Sequence, residues 1–546
     1  MPDIKIKIPN PSVILAVLIS LSCALFVFYT IAVEVTESTS TYDTDEADHA
    51  NPGLELYLAL SNKDLSATYS ALARQSFYPP LHSVFVAAGH FIFGEPFLAS
   101  SRLPSLVSFV LYTFLLIYCI RIFLLRNYAE TGSNSFATAA AFLTGLAAAS
   151  SPITISNSAL CMLEVPGVFL TVVCIYAFVN FDNPSFKNFR IIFVALSGLS
   201  VFWMKYSFGI VTVPAVLMTV FLTSKPWRDF DEAFRNTAVC SAFIGIPIII
   251  WLMQIDRDSF YHFFVGHRSY VPFWSKENFL FYFIAWMDSY GINKIVSISS
   301  LLLAVFGAIK FYKTPAALFC IFNTAIALLV FTVSTTNEER HIMVAIPSIF
   351  FLCGLGLYST FQKFNAAIVM PLAILSTFAI ALNTYQKIPE IKANLQIEFE
   401  GEPEFYQLFE FIFSLADPMK PVLFYGISDD FSIEALRWFV AKKTSRAYPQ
   451  VEVDAYPFRD DKNFTAGKRK RNLDRPYKER GFPKKPLEEV IKRNYYHYAV
   501  HVHNYKRKQR FQKESQEMLE LLQDRLKGEM QAGSRLVRVY SLIENN

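Results

Sequence analysis

The chain has 546 residues, 53% of them hydrophobic and 16% aromatic, including 53 phenylalanines. With a mean hydropathy of +0.31, this composition excludes a water-soluble globular protein, and it describes a polytopic membrane protein. A formal net charge of +4 is too small to define a partner.

Lys5 and Lys7 precede a hydrophobic run over 12–33 that has no small-x-small cleavage pattern. It therefore reads as a retained signal anchor. Just beyond it, residues 42–50 contain four carboxylates, Asp43, Asp45, Glu46 and Asp48, together with His49. A carboxylate at the water–lipid boundary can take a proton from an attacking hydroxyl, and a second one can orient it or hold a divalent cation. Asp45 and Glu46 are the candidate catalytic pair on that argument, against the plainer reading of a solvated acidic loop. Residues 54–60 read as a short amphipathic helix, and Phe77-Tyr-Pro-Pro-Leu-His82 returns the chain to the membrane. The apolar piece 80–94, with His82 and His90, is short and reads as re-entrant or interfacial.

Apolar stretches at 12–33, 101–125, 136–155, 160–181, 189–204, 207–222, 235–253, 279–309, 314–333, 342–361 and 366–385 predict about eleven crossings, within a range of about 11 to 13 transmembrane helices. With a cytoplasmic N-terminus, the inside loops carry Arg121 and Arg126, then Lys187 and Arg190, then Lys225, Arg228 and Arg235, then Lys310 and Lys313, then Lys363. Every inside loop is basic, as the positive-inside rule requires. The acidic first loop, Glu164, Lys205, the loop 254–278, the run 335–341 and the C-terminal part then share the outer face. The seven cysteines lie within or at the ends of apolar segments, so neither a disulfide framework nor a zinc spacing is present.

After about Lys387 the composition becomes that of a soluble α/β domain. Strands are expected over 421–426, 497–503 and 535–543, and helices over 431–443 and 511–527. Residues 460–485 are basic and poor in apolar residues, as a loop would be. Within them, Lys468-Arg-Lys-Arg471 could attract an anionic acceptor, though such runs are usually solvated, and Asn463-Phe-Thr465 matches the N-glycosylation pattern. The predicted domains are a membrane module over 1–385, with its first extracytoplasmic loop and juxtamembrane helices at 34–100, and an extracytoplasmic α/β domain over 386–546.

The order of features resembles the GT-C membrane glycosyltransferases. A first span is followed by Asp45-Glu46, a short helix, and Tyr78-Pro-Pro-Leu81. Then come Ser101-Arg-Leu-Pro-Ser105, Ser151-Pro152 leading to Met162-Leu-Glu-Val-Pro166, Gly198-Leu-Ser-Val-Phe-Trp-Met-Lys-Tyr206, and Glu339-Arg-His-Ile-Met-Val-Ala-Ile-Pro347. This series, collinear over 12–361, is similar to the branch containing the lipid A aminoarabinose transferases and protein O-mannosyltransferases.

The resemblance implies a GT-C-like polytopic α-helical fold and transfer of a sugar, with inversion, from a polyprenyl-phosphate carrier to a lipid, glycan or protein acceptor on the extracytoplasmic side. It makes Asp45 the base or a metal ligand with Glu46 beside it, and Glu164 a second acid of the same cavity where a divalent cation could bind. An acid within an apolar segment costs roughly 2.5–3.5 kcal/mol on insertion scales, which itself marks Glu164 as a functional candidate. Lys205, Arg340 and His341 are the implied donor-phosphate contacts, Arg suiting a bidentate contact and Lys a point charge. In the loop 254–278, which holds His262, His267, Arg268, Tyr270, Phe273 and Trp274, His267 and Arg268 are the candidate contacts. Tyr78 and His82 are candidate lining residues of the substrate cavity. Some family members have a lysine immediately before the proline of the loop-return motif; here Phe77-Tyr78 precede Pro79-Pro80. That departure leaves the donor sugar open. The expected setting is a bilayer, a bacterial inner or plasma membrane, with no nucleic-acid partner. A transporter or flippase of lipid-linked glycans, for which internal repeats and charges buried mid-span are expected, and an inactive GT-C-like scaffold are the alternatives.

Overall fold

The computed structural model describes residue 29 and residues 44–73, 79–94, 98–128, 134–186, 189–254, 275–290, 293–333, 338–364, 366–399, 403–425, 433–444, 453–456, 497–504, 520, 522–532 and 535–542. Outside them lie the expected first span 12–33 apart from Tyr29, together with Tyr78, residues 255–274 with His267 and Arg268, the basic segment with Lys468 and Asn463, and most of the expected helix 511–527.

The acidic cluster opens a helix. Helix α1, Thr44–Ser61, puts Asp45 and Glu46 in its first turn, where the helix dipole favours negative charge, and runs on through Pro52. After α2, Leu65–Ala73, the piece read as re-entrant forms α3, Leu81–Phe93, which ends where Gly94 takes a left-handed conformation at φ 78°. Helices α4 (Leu98–Tyr128), α5 (Asn134–Ala149), α6 (Pro152–Ser158), α7 (Glu164–Val179), α8 (Arg190–Met204), α9 (Tyr206–Thr223) and α10 (Phe230–Gln254) follow. Then come α11 (Lys276–Ala285), a π-helical turn at Trp286–Tyr290, α12 (Lys294–Phe311), α13 (Pro315–Val333), a 3-10 turn at Glu339–Ala345, α14 (Ile346–Phe361) and α15 (Ala366–Phe399).

Six helices among the described residues are long and apolar enough to cross a membrane: Ala99–Tyr128, Tyr206–Thr223, Phe230–Met253, Lys294–Phe311, Pro315–Val333 and Glu339–Phe361. The pair α5 and α6, bent by 63° at Ser150-Ser151-Pro152, would make a seventh. Helices α3, α7 and α8 are apolar but shorter. The stretch 279–309, expected as one crossing, instead holds α11, the π-helical turn and a separate α12, whose start Asn293 caps by accepting the Val296 N–H. Helix α15 runs unbroken through residues 385 and 386, where composition suggested a domain boundary.

Helices α12 and α14 touch backbone to backbone. A Cβ on Gly307 would lie 2.0 Å from the Leu352 carbonyl oxygen, and one on Gly356 would lie 2.0 Å from that of Leu303. Without a hydrophobic drive inside lipid, such close approach is what holds helices together. Helix α10 faces outward, with Ile246, Ile249, Ile250 and Met253 exposed, as lipid contact requires.

The C-terminal part adds α16 (Pro403–Leu415), α17 (Ile433–Thr444) and a five-stranded sheet. Its strands are β1 (Val422–Tyr425), β2 (Val453–Tyr456), β3 (Tyr498–Asn504), β4 (Leu526–Ala532) and β5 (Arg535–Ser541), in the order β2-β1-β3-β5-β4. β1 is parallel to β2 and β3, while β5 runs antiparallel to β3 and β4. Strands β2 and β4 were not legible, and Leu526 and Lys527 belong to β4 rather than to a helix. Trp438 and Phe439 share one apolar cluster with Ala50 and Leu54 of α1, so the sheet unit packs directly on the helix that carries the acids.

Gly307→Leu is expected to lower the thermal unfolding midpoint in detergent, at a cost of about 1–3 kcal/mol for overpacking. Gly245→Ala, where an added Cβ meets nothing within 4 Å, serves as the control and should leave the midpoint unchanged or raise it slightly, since Ala favours a helix interior over Gly.

Candidate functional site

The site is built around the short segment that joins α6 to α7. Glu46, fully buried, binds Arg102 through two hydrogen bonds, Nε to Oε1 at 3.0 Å and a terminal guanidinium nitrogen to Oε2 at 2.9 Å. The same Oε1 accepts the backbone N–H of Cys161 at 2.6 Å. The Met162 carbonyl accepts the Ser105 hydroxyl at 3.0 Å. Side chains from α1 and α4 therefore fasten Cys161 and Met162, the latter two residues before Glu164.

Glu164 is the first residue of α7 and is 1% exposed. Lys205 reaches it from the junction of α8 and α9, where the backbone leaves helical geometry at φ −149° and ψ 110°. The Lys205 ammonium lies 2.5 Å from Glu164 Oε1, and the Arg340 Nε lies 3.8 Å from the same oxygen. Two glycines make this approach possible: a Cβ on Gly209 would lie 2.6 Å from the Phe202 Cα, and one on Gly167 would lie 2.7 Å from the Phe208 ring.

Arg340 comes from the 3-10 turn, where its Nε also binds Glu338 at 2.7 Å. The His341 Nε2 lies 3.6 Å from the same Glu338 carboxylate. Burial raises the Glu338 pKa, but the Arg340 guanidinium and its hydrogen bond outweigh that and leave it below the ordinary carboxylate value. The turn is mounted at both ends: Tyr290 donates its hydroxyl to the Glu339 carbonyl, and Asn323, buried within α13, donates to the Val344 carbonyl at 2.9 Å. The His341 ring stacks on Phe331 at 5.5 Å.

Two histidines complete the cluster. His49, one turn after Asp45 on α1, packs edge-on against His82 with ring centroids 5.6 Å apart. Burial first, and then His82, hold His49 well below the ordinary imidazole pKa. Burial likewise pushes His82 down to about 4, against the pull of Glu164. Both rings are neutral at neutral pH.

Of the residues singled out in the sequence, the structure brings together Glu164, Lys205, Arg340, His341 and His82. It places Glu46 in the adjoining ion pair and Asp45 one residue before it, at the start of α1; the Asp45 side chain, Tyr78, His267 and Arg268 lie outside the described residues. Sequence reasoning missed the parts played by Arg102, His49, Glu338 and Asn323. Each had a signal: a motif position, a one-turn spacing from Asp45, adjacency to Arg340, and a polar side chain inside an apolar span. Among the described residues no three His, Cys, Asp or Glu side chains are grouped as metal ligands. Two cations share the Glu164 Oε1.

No family model and no curated protein matches the chain. Among solved structures, the fold is similar to that of ArnT and of an archaeal oligosaccharyltransferase. ArnT from Cupriavidus metallidurans, in a crystal structure bound to undecaprenyl phosphate, matches 97% of this chain and 98% of its own length at a TM-score of 0.58 and 14% identity. Apo ArnT gives the same score over 96% of this chain and 97% of its own. The apo oligosaccharyltransferase of Archaeoglobus fulgidus matches 89% of this chain and 70% of its own at a TM-score of 0.50 and 11% identity.

Removing one member of a buried ion pair strands the other, at a typical cost of about 3–5 kcal/mol. Arg102→Met should therefore lower the thermal midpoint strongly. The double variant Glu46→Gln/Arg102→Met should recover part of the loss, because the Gln oxygen still accepts the Cys161 N–H without a stranded charge. Differential scanning fluorimetry of the purified variants checks this.

Proposed function

We propose that the protein is an integral membrane glycosyltransferase that moves a sugar from a polyprenyl-phosphate donor to a hydroxyl of a lipid, glycan or protein acceptor, with inversion. The observation that carries this reading is the convergence of Lys205 and Arg340 on one buried carboxylate, in a fold that in ArnT is seen with undecaprenyl phosphate. Lys205 and Arg340 balance Glu164 and Glu338, so the cluster is neutral on its own. Both side chains are positively charged and present N–H donors only. As the bond from the sugar C1 to the phosphate oxygen breaks, the departing phosphate gains a second negative charge, which these donors are placed to stabilise. The acceptor oxygen bonds to C1 from the opposite face, and its proton passes to a carboxylate, for which Asp45 is the proposed base. The products are the glycosylated acceptor and polyprenyl phosphate, and no step is assigned to a metal.

The ends of the helices support an extracytoplasmic site in a bacterial inner or plasma membrane. Arg102, Lys205 and Arg340 lie at one end of α4, at the start of α9 and just after α13, respectively. At the opposite ends of those helices lie Arg121 and Arg126, Lys225 and Arg228, and Lys310 and Lys313. A cytoplasmic excess of Lys and Arg puts those basic ends inside and the site outside.

In proteoliposomes supplied with undecaprenyl-phosphate sugars and total cell-envelope acceptors, Lys205→Met and Arg340→Gln should each lower turnover by roughly 10²–10³-fold, the range for loss of one charge-stabilising donor. Asp45→Asn should do the same with normal expression. Transfer unaffected by Asp45→Asn would remove the proposed base. Asn323→Leu, which frees one end of the turn holding Arg340, should give a smaller loss of about tenfold in turnover, equivalent to about 1.4 kcal/mol.

A further inference from the structure

Helices α12 and α14 both start near the Arg340 turn, where Tyr290 meets Glu339, and end together on the far side of the apolar zone. Near those ends their backbones are in contact at Gly307 and Gly356. Just past that contact, Lys363 lays its ammonium over the Phe306 ring at 5.2 Å, so a residue following α14 sits against α12. Lys310 is one turn beyond Phe306 on the same face of α12. Its ammonium lies 5.7 Å from the Phe311 ring, and that of Lys313 lies 5.6 Å from the Tyr312 ring. All three lysines and Tyr312 are exposed. No Asp or Glu occurs at 289–337 or 340–389, so α12, α13 and α14 offer these cations no carboxylate. Helix α4, packed beside them by Tyr128 against Phe311 at 5.4 Å, has none either.

Like charges gathered without a counter-charge repel one another, and an anion between them relieves the repulsion. The surface next to the lysines says which kind of anion. Ile309, Val305 and Leu302 form an exposed apolar stripe on α12, spaced four and three residues apart. Leu302 lies about 12 Å from Lys310 along the helix axis, within the depth of about 15 Å that one leaflet's hydrocarbon occupies. A free phosphate would use the cations and leave the stripe idle, whereas a phospholipid uses both. We infer that the junction of Lys310 and Lys363, with Lys313 beside it, binds the headgroup of an anionic phospholipid whose acyl chain lies along the stripe from Ile309 to Leu302. Basic junctions between membrane helices suit such headgroups. The lipid would bridge the ends of α12 and α14, at the opposite end of those helices from Arg340, and the site is independent of the sugar-transfer reading.

Native mass spectrometry of the full-length protein in uncharged detergent, titrated with dioleoyl phosphatidylglycerol or dioleoyl phosphatidylcholine, tests this. The wild type should bind phosphatidylglycerol more tightly than phosphatidylcholine, and glycerol phosphate, the headgroup without its chains, should not displace it. A lysine at an anionic lipid is worth about fivefold in affinity, so Lys310→Gln/Lys363→Gln should weaken the tightest-bound phosphatidylglycerol by about 30-fold. Phosphatidylcholine binding should not change, and Lys310→Arg/Lys363→Arg, which keeps the charge, should retain phosphatidylglycerol. Arg228→Gln/Arg235→Gln removes the same charge from another loop, where Asp229, Asp231 and Glu232 stand nearby, and should leave binding as it is. Equal weakening by the two Gln double variants would reduce the site to general surface charge and overturn it. No weakening by Lys310→Gln/Lys363→Gln, or displacement by glycerol phosphate, would overturn it as well.

Discussion

The buried pair of Glu46 and Arg102 is the contact on which the site depends. Its charge would be costly in so apolar a protein if either partner stood alone, and its geometry does more than cancel that cost. The carboxylate also takes the Cys161 N–H, so an ion pair between α1 and α4 becomes a clamp on the segment leading into α7. Glu164 follows three residues later. The acid at the centre of the cluster is thus positioned by an acid that does not itself enter the cluster.

Around Glu164 the chain repeatedly uses breaks in helices. Lys205 sits where α8 gives way to α9, Arg340 sits in a 3-10 turn, and Glu164 opens a helix. A continuous membrane helix satisfies its own backbone and points side chains at neighbours or lipid; only where helices end can long polar side chains converge from several directions. The breaks need support, and the support is polar: Asn323 and Tyr290 hold the Arg340 turn by its carbonyls. Buried polar side chains far from the chemistry are part of the positioning of the cations.

The sheet unit belongs to the same construction. Its helix α17 shares a core with α1 through Trp438, Phe439, Ala50 and Leu54. A change in how that unit sits would be felt by the helix that starts with Asp45 and Glu46, so the C-terminal part is coupled to the site whether or not it touches an acceptor.

Composition alone determined that this is a membrane protein, because 53% hydrophobic residues leave no water-soluble alternative. Collinear short motifs pointed to a fold that ArnT shares, and Glu164, Lys205 and Arg340 stood out because ionisable residues at the ends of apolar segments contrast with their background. Helix interruptions were less legible: hydropathy averages over the π-helical turn at Trp286–Tyr290 and over the α5–α6 bend, and short strands such as Val453–Tyr456 carry little periodicity. Pairing was not legible at all. That Glu46 spends its charge on Arg102, 56 positions away, and that Lys205 and Arg340 meet on a single oxygen of Glu164, depends on helix packing between residues distant in sequence. Local pattern reports which side chains are costly to bury, but only the tertiary structure decides which partner relieves the cost.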